Sequence, residues 1–303
     1  MHKSYTVFIF LFALRCFAQN GNPAVPTGQY AATRTSANLN EAILDTSNVS
    51  QSQFGKLYSF PVDGGIFAQP LYVPGVPIGG AVKNVLFVAT MHNSIYAFDA
   101  DSSSGTPLWK ISQFDDKGNT ILGPSVAAPS GNGCPSAGYS GPELGILSTP
   151  AIDLGSNTLY AVAANPSGNG FMHWLHAIDI TTGNERPNSP VEIQPSVAGQ
   201  GYDQSGGSVT LNSNSTDVQR TGLLLANGSV YAGFGNCGPD NDFWHGWVVG
   251  YDKSTLKPTL TFNSTPNSGE GGIWQSGRGL MADPAGNLWF TTGNTQESIL
   301  EAS

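Results

Sequence analysis

The chain has 303 residues, of which 38 are Gly, 20 are Pro and only 11% are charged, and its formal net charge is −9. So many turn formers and so few charges, with 10% aromatic residues to fill cores, describe an ordered all-β protein rather than a disordered or helical one. No basic run occurs anywhere, which argues against nucleic acid and anionic membrane surfaces as partners.

Residues 1–18 read as a signal peptide. His2 and Lys3 open it, residues 5–14 form an apolar run, and Cys16 and Ala18 supply small residues before a cleavage point. The run is too short for a membrane span, which takes about 20 apolar residues, and no second candidate follows. The mature protein is expected to begin near Gln19 and to be secreted or periplasmic. Removing the leader leaves Cys134 and Cys237, and two cysteines in an exported chain point to a disulfide.

Residues 19–53 are polar and read as an irregular N-terminal segment draped over the fold. From 54 to 63, Tyr58, Phe60 and Val62 alternate with Leu57, Ser59 and Pro61, the period of a strand. Gly64 and Gly65 make a turn, and residues 66–73 form the next strand. Residues 85–91 then pair with 94–99 through a turn at His92 and Asn93.

Later segments repeat this unit. VLFVAT at 85–90 matches TLYAVA at 158–163, SVYAGF at 229–234 and NLWFTT at 287–292. IYAFDADSSSG at 95–105 matches LHAIDITTG at 175–183 and VVGYDKSTLK at 248–257. Each unit reads as four antiparallel strands; in the second these are 147–153, 159–164, 174–180 and 190–194. Four-stranded units in tandem, each burying a face on its neighbour, define a β-propeller. Three units and the start of a fourth give about three and a half blades over 54–303, an incomplete ring. Residues 56–63 correspond to an outer strand that would complete the last blade. An open stack exposes strand edges, so the chain is expected to be the N-terminal piece of a longer protein; a compact domain of another class is the alternative.

Ala97-x-Asp99 followed by Gly105 and Trp109 resembles the repeat of pyrroloquinoline-quinone-type propellers. In that repeat a turn Gly and a Trp lock adjacent blades together. Ala177-x-Asp179 with Gly183 repeats the pattern, and Gly250-x-Asp252 is a weaker copy. FGKLYSFPVDGGIFAQPLYVPGV, HGWVVGYD and EGGIWQSG resemble a group of exported bacterial proteins with this quinoprotein-like repeat, from about residue 37 onward. The resemblance implies the fold and no settled reaction. The family's enzymes hold the quinone between a Trp and a disulfide of adjacent cysteines, and bind Ca²⁺ through a carboxylate and an Asn beside an Asp base. This chain has no adjacent cysteine pair. Trp274 would serve as a stacking floor, and Glu143 or Glu270 as an oxygen ligand for Ca²⁺.

Antiparallel order puts the loops leading into inner strands on one face with those joining second to third strands. Cys134 and Cys237 fall on long loops of that face, in neighbouring blades, and are expected to pair. The same face presents Gln69, Glu143, Ser148, Arg220, His245, Glu270, Trp274 and Gln275, a mixed polar and aromatic set suited to a binding mouth. The competing reading is that these groups satisfy one another and channel waters. Other signals carry less. Gly233, Gly235 and Gly238 spell G-x-G-x-x-G, but a strand rather than a helix follows. His173 and His176 point to opposite faces of a strand and cannot chelate together. The expected function is a binding or scaffold module for a small molecule, glycan or protein, with no cofactor, metal or catalytic residue assigned. The alternative is a quinone- and calcium-dependent oxidoreductase acting on alcohols or sugars.

Overall fold

The computed structural model describes residues 23–52, 54–114, 119–127, 143–168, 170–211, 217–236 and 244–295. The first sheet holds β1 (Leu71–Ile78), β2 (Ala81–Thr90), β3 (Ser94–Asp99) and β4 (Trp109–Ile111), antiparallel in chain order. Next, β5 (Val126–Ala127) pairs with β6 (Glu143–Leu144). The second sheet holds β7 (Ala151–Asp153), β8 (Thr158–Ser167), β9 (Gly170–Asp179) and β10 (Val191–Glu192). A hairpin of β11 (Ser196–Ala198) and β12 (Ser208–Thr210) precedes the third sheet. There β13 (Asp217–Gln219) and β14 (Leu224–Ala226) share the partner β15 (Ser229–Asn236), followed by β16 (Trp247–Asp252) and β17 (Pro258–Asn263). A fourth sheet begins with β18 (Met281–Ala282) and β19 (Leu288–Trp289). This is the all-β class expected: three blades of antiparallel strands and part of a fourth, with no closed ring among the described residues.

Middle strands are buried on both faces, so they read as apolar runs rather than as alternations. In β2, Val85, Phe87 and Ala89 join the core between the first two blades, while Val88 packs with Tyr96 and Phe98 on the other face. Tyr160, Phe234 and Trp247 fill the core between the second and third blades. Fully burying one such large side chain contributes on the order of 2–3 kcal/mol. Turn chemistry fixes the registers. Gly79 and Gly80, both at positive φ, link Ile78 to Ala81, and Asn227-Gly228 does the same between Ala226 and Ser229. These are two-residue turns whose twist suits a hairpin. The turn between β2 and β3 spans three residues rather than two, because Thr90 pairs with Ser94 and Asn93 sits at φ 49.

Two segments depart from the sequence reading. Residues 54–63 form no strand. Tyr58, Phe60 and Val62 still face the first blade, with Phe60 stacked on Phe98 at 4.6 Å and the Tyr58 hydroxyl donating to Ala100 O. The alternation was therefore real, but no neighbouring strand supplies the ladder that would make it a β-strand. The inner strand also starts later than expected, at Leu71, since Pro70 has no N–H to give.

The segment read as a surface drape instead crosses the inner strands. Val25 pairs with Tyr72 of the first blade, and Pro26 O accepts from Ile152 N of the second at 2.7 Å. Thr27 Oγ1 donates to Leu223 O beside the third, and Ala32 O accepts from Ala282 N of the fourth. Arg34 ties the crossing together. Its Nε donates to Leu280 O at 2.9 Å, Nη2 to Leu223 O at 2.8 Å, and Nη1 to Thr27 Oγ1 and Gly28 O. Burial without a carboxylate partner lowers its pKa to about 10. We expect Arg34→Ala to cost about 3 kcal/mol in urea denaturation, since charged hydrogen bonds are lost and buried carbonyls are left unpaired. Arg186→Ala, at the more open Asp179 pair, is expected to cost less than about 1 kcal/mol.

Candidate functional site

The two loop classes of one face interlock. Met91 N, in the turn after β2, donates to Gly65 O, and Ile146 N donates to Thr90 O. Gly145 fits so closely that a Cβ there would stand 2.2 Å from Met91 O. In the third blade Ile273 N donates to Phe234 O, and the Trp274 indole lies on Gly235, where a Cβ would come within 2.7 Å of Nε1. Glycine at these positions permits the close approach.

The eight residues singled out from sequence divide into separate groups. Glu143 Oε2 accepts from Ser125 Oγ and from His92 Nδ1 at 2.8 Å. Gln113 Nε2 donates to His92 Nε2 at 3.3 Å, which places the imidazole proton on Nδ1. Gln69 turns to the crossing segment and accepts from Gln29 N. Ser148 is buried, and its hydroxyl has no partner among the described residues. His245 is buried between Asp203 Oδ1 at 2.8 Å and Thr265 Oγ1 at 3.0 Å. Glu270 follows at φ 67; its Oε2 accepts from Asn294 Nδ2, and its backbone O accepts from Thr265 Oγ1. Arg220 lies beneath Gly277, whose Cβ, if present, would be 2.4 Å from Cζ.

Trp274 and Gln275 do meet. With Gly272, Ser276, Thr291, Thr292 and Gly293 they line a cleft of about 370 Å³. Gln275 Nε2 donates to Thr291 O and Oγ1, and Gln275, Ser276 and Gly277 all hold left-handed φ, at 48°, 51° and 78°. Cys134 and Cys237, like the leader at 1–18, lie outside the described residues. Sequence reasoning missed His92, Gln113 and Ser125 around Glu143. Only the polar character of the turn at His92 hinted at them.

The repeat residues take part in blade contacts and turns. Trp109 Nε1 donates to Ile180 O at 2.9 Å across two blades, and its ring covers Gly183. Asp99, Asp179 and Asp252 each accept backbone N–H groups from the turn after a third strand: Asp101, Thr181, and Ser254 with Thr255. The Lys83 ammonium beside Asp99 holds that carboxyl below its usual range. Gly105 packs on Pro61.

No family model and no curated sequence matches the chain. Solved structures do. The quinohemoprotein alcohol dehydrogenase ADHIIG of Pseudomonas putida HK5 matches with a TM-score of 0.57 at 18% identity, over 90% of this chain and 35% of that one. The fold is that of the quinoprotein propellers. A europium-containing methanol dehydrogenase matches at TM-score 0.48 and 14% identity, over 87% of this chain and 41% of its own. The quinohemoprotein alcohol dehydrogenase of Comamonas testosteroni gives 0.42 and 14%, over 90% and 46%. This chain thus spans about a third of the length of the first of these, and identity so low establishes the fold alone.

The described residues do not by themselves fit a calcium-held quinone. The Glu143 and Glu270 carboxylates are each engaged by the chain's own donors. Among the described residues no three His, Cys, Asp or Glu side chains are placed to share a metal ion.

Below this face His173 is buried, with its ring edge-on to Phe171 and Phe234. Burial lowers its pKa from 6.5 to about 3. The unfolded chain takes up this proton below about pH 6.5 while the folded chain stays neutral, so stability falls as pH drops through that window toward 3. Between pH 7 and 5 the loss from this one group is about 2 kcal/mol. We expect His173→Leu to remove that part of the pH dependence in urea titrations. An unchanged slope would contradict a neutral buried imidazole.

Proposed function

We propose that this chain is the N-terminal part of a longer, exported propeller protein that binds a small polar molecule at the mouth formed by its long loops. The observation that carries this reading is the cleft beside Trp274, where an indole, the Gln275 amide and the Thr291 and Thr292 side chains surround about 370 Å³. An aromatic wall with a few amide and hydroxyl groups is the chemistry of small-molecule recognition. The strained backbone at Gln275 and Ser276 supports it, since non-glycine residues in this region cost roughly 1–2 kcal/mol each and recur at ligand clamps. Export rests on the leader at 1–18, and with it a Cys134–Cys237 disulfide; a non-reducing thiol assay finding two free thiols would retire the pairing.

A second reading draws on the ADHIIG likeness. The longer protein would be a quinone-dependent oxidoreductase of alcohols or sugars, with this chain contributing one side of the mouth and the calcium donors coming from elsewhere in that protein. Reconstitution of the full-length protein with quinone and Ca²⁺, followed by dye reduction, separates the two. We expect a tryptophan-fluorescence titration with sugars, alcohols and carboxylic acids to find a ligand whose affinity drops at least tenfold in Trp274→Ala. Equal binding by that variant, or silence across the panel, would remove the cleft from consideration.

A further inference from the structure

A second cavity, of about 750 Å³, lies at the end of the blades opposite the loop face and has about twice the volume of the Trp274 cleft. The first blade lines it with β1, the start of β2 and the turn after β3, and the second blade adds the turn between β7 and β8. β1 is bulged there: Val73 pairs with Val85 but Val76 pairs with Lys83, so β1 carries one residue more than its partner. Gly75 takes φ 73, and its N–H turns to Asn84 Oδ1 at 3.2 Å. A bulge bends its strand and re-aims neighbouring side chains, and bulges recur beside functional sites.

The lining divides into an apolar and a polar part. Val73, Val76 and Val82 of the first blade and Leu154 of the second supply the apolar part, and Val82 and Leu154 stay 67% and 44% exposed. The polar part is two hydrogen-bonded pairs that both line the cavity, Lys83 Nζ with Asp99 Oδ2 and Asn84 Nδ2 with Asp101 Oδ2, each at 2.8 Å. Two carboxylates against one ammonium give the lining a net negative charge. Nearby charges of the second blade do not cancel it: Arg186, whose Nη2 donates to Asn157 O, is paired with Asp179, and Lys253 is paired with Asp153. Asp101 is exposed, and a carboxylate that accepts one amide proton has room for further donors.

We propose that this cavity is a second binding site, for a small amphipathic amine, separate from the Trp274 cleft. The apolar body of the ligand lies on Val82, Leu154 and the valines of β1, and its ammonium donates to Asp101. Mixed apolar walls with a few placed polar groups are what small-molecule sites of this volume are made of. The sign of the lining selects a cation over an anion, and Lys83 does little to repel it because Asp99 matches its charge. The site does not depend on the reading of the Trp274 cleft, and it goes beyond it.

The test titrates the full chain calorimetrically with three probes that share one body and differ in the end group: phenylbutylamine, phenylbutanol and phenylbutyrate. The wild type is compared with Asp101→Asn, Val82→Ser and Trp274→Ala. Positions 82 and 101 are both exposed, so their variants alter contacts with the probe rather than the core. We expect saturable binding that is tightest for the amine and weakest for the carboxylate. The amine should bind about fivefold more weakly to Asp101→Asn, as loss of a partly exposed charge pair predicts. It should also weaken in Val82→Ser, stay unchanged in Trp274→Ala, and weaken with added salt while the alcohol does not. No saturable heat with the amine, equal affinity for the alcohol or the carboxylate, or unchanged affinity in Asp101→Asn overturns the proposal. Loss of amine binding in Trp274→Ala moves the ligand to the loop face and overturns it as well. Failure of the Trp274 cleft to bind any ligand leaves this result untouched.

Discussion

An inner blade strand is an edge strand, and several of them facing one channel would leave rows of unpaired N–H and C=O groups at the centre of the molecule. Residues 23–36 meet that constraint. They give Tyr72, Ile152 and Ala282 backbone partners, and Arg34 reaches the carbonyls of Leu223 and Leu280. One short segment therefore touches the inner strand, or the residue leading into it, in every blade. A guanidinium suits this role because it has five donors and no acceptor, while the groups it meets are nearly all carbonyl oxygens. The cost is desolvation of a charge with no carboxylate beside it, which is why its pKa falls to about 10.

With the centre fixed, adjacent blades need only face-to-face packing and a few specific ties. The Trp109 indole bonded to Ile180 O and the Tyr160 hydroxyl bonded to Lys253 O are such ties, each running from one blade to the next. Lys253 also pairs with Asp153 of the blade before it at 2.7 Å. These contacts sit where second strands begin and third strands end. The opposite face has ties of its own: Asn93 Nδ2 donates to Gly123 O and Ala164 O, and Asn165 Nδ2 to Leu122 O and Pro124 O.

Much of this scaffold was legible in the sequence because it depends on local pattern. The strand at 94–99 was read with its observed bounds, since apolar residues and the flanking turn define it without reference to distant contacts. Residues 54–63 show the limit: the alternating Tyr58, Phe60 and Val62 do share a side, but the pattern did not say that this side meets the first blade, and strand formation requires a partner that pattern alone does not supply. The crossing of 23–36 was not legible for a related reason. Its partners are main-chain atoms more than 180 residues away in the case of Arg34, and no side-chain identity advertises a carbonyl. The site was less legible still. Strand order assigned Trp274 and Gln275 to the loop face, but their cleft depends on left-handed backbone at Gln275 and Ser276, residue types that do not announce it. His92 looked like a turn residue, and its link to Glu143 spans 51 positions.

The ion pairs show where charges meet, which composition does not. At the end where third strands finish, cations are matched to acids: Lys83 to Asp99, Arg186 to Asp179, Lys253 to Asp153. The same carboxylates also cap turns, and Asp283 does so as well, its pKa held at about 2 by the Asn287 amide and the Trp289 indole. On the loop face Lys110 is matched to Asp63, whose carboxyl stays below its usual range because Lys110, Ser94 and Thr90 together outweigh burial. Pairing is not general, however: among the described residues Lys56, Lys257, Arg220 and Arg278 have no acid partner, so the matched cations mark particular ties between strands, turns and blades rather than a rule for the whole chain.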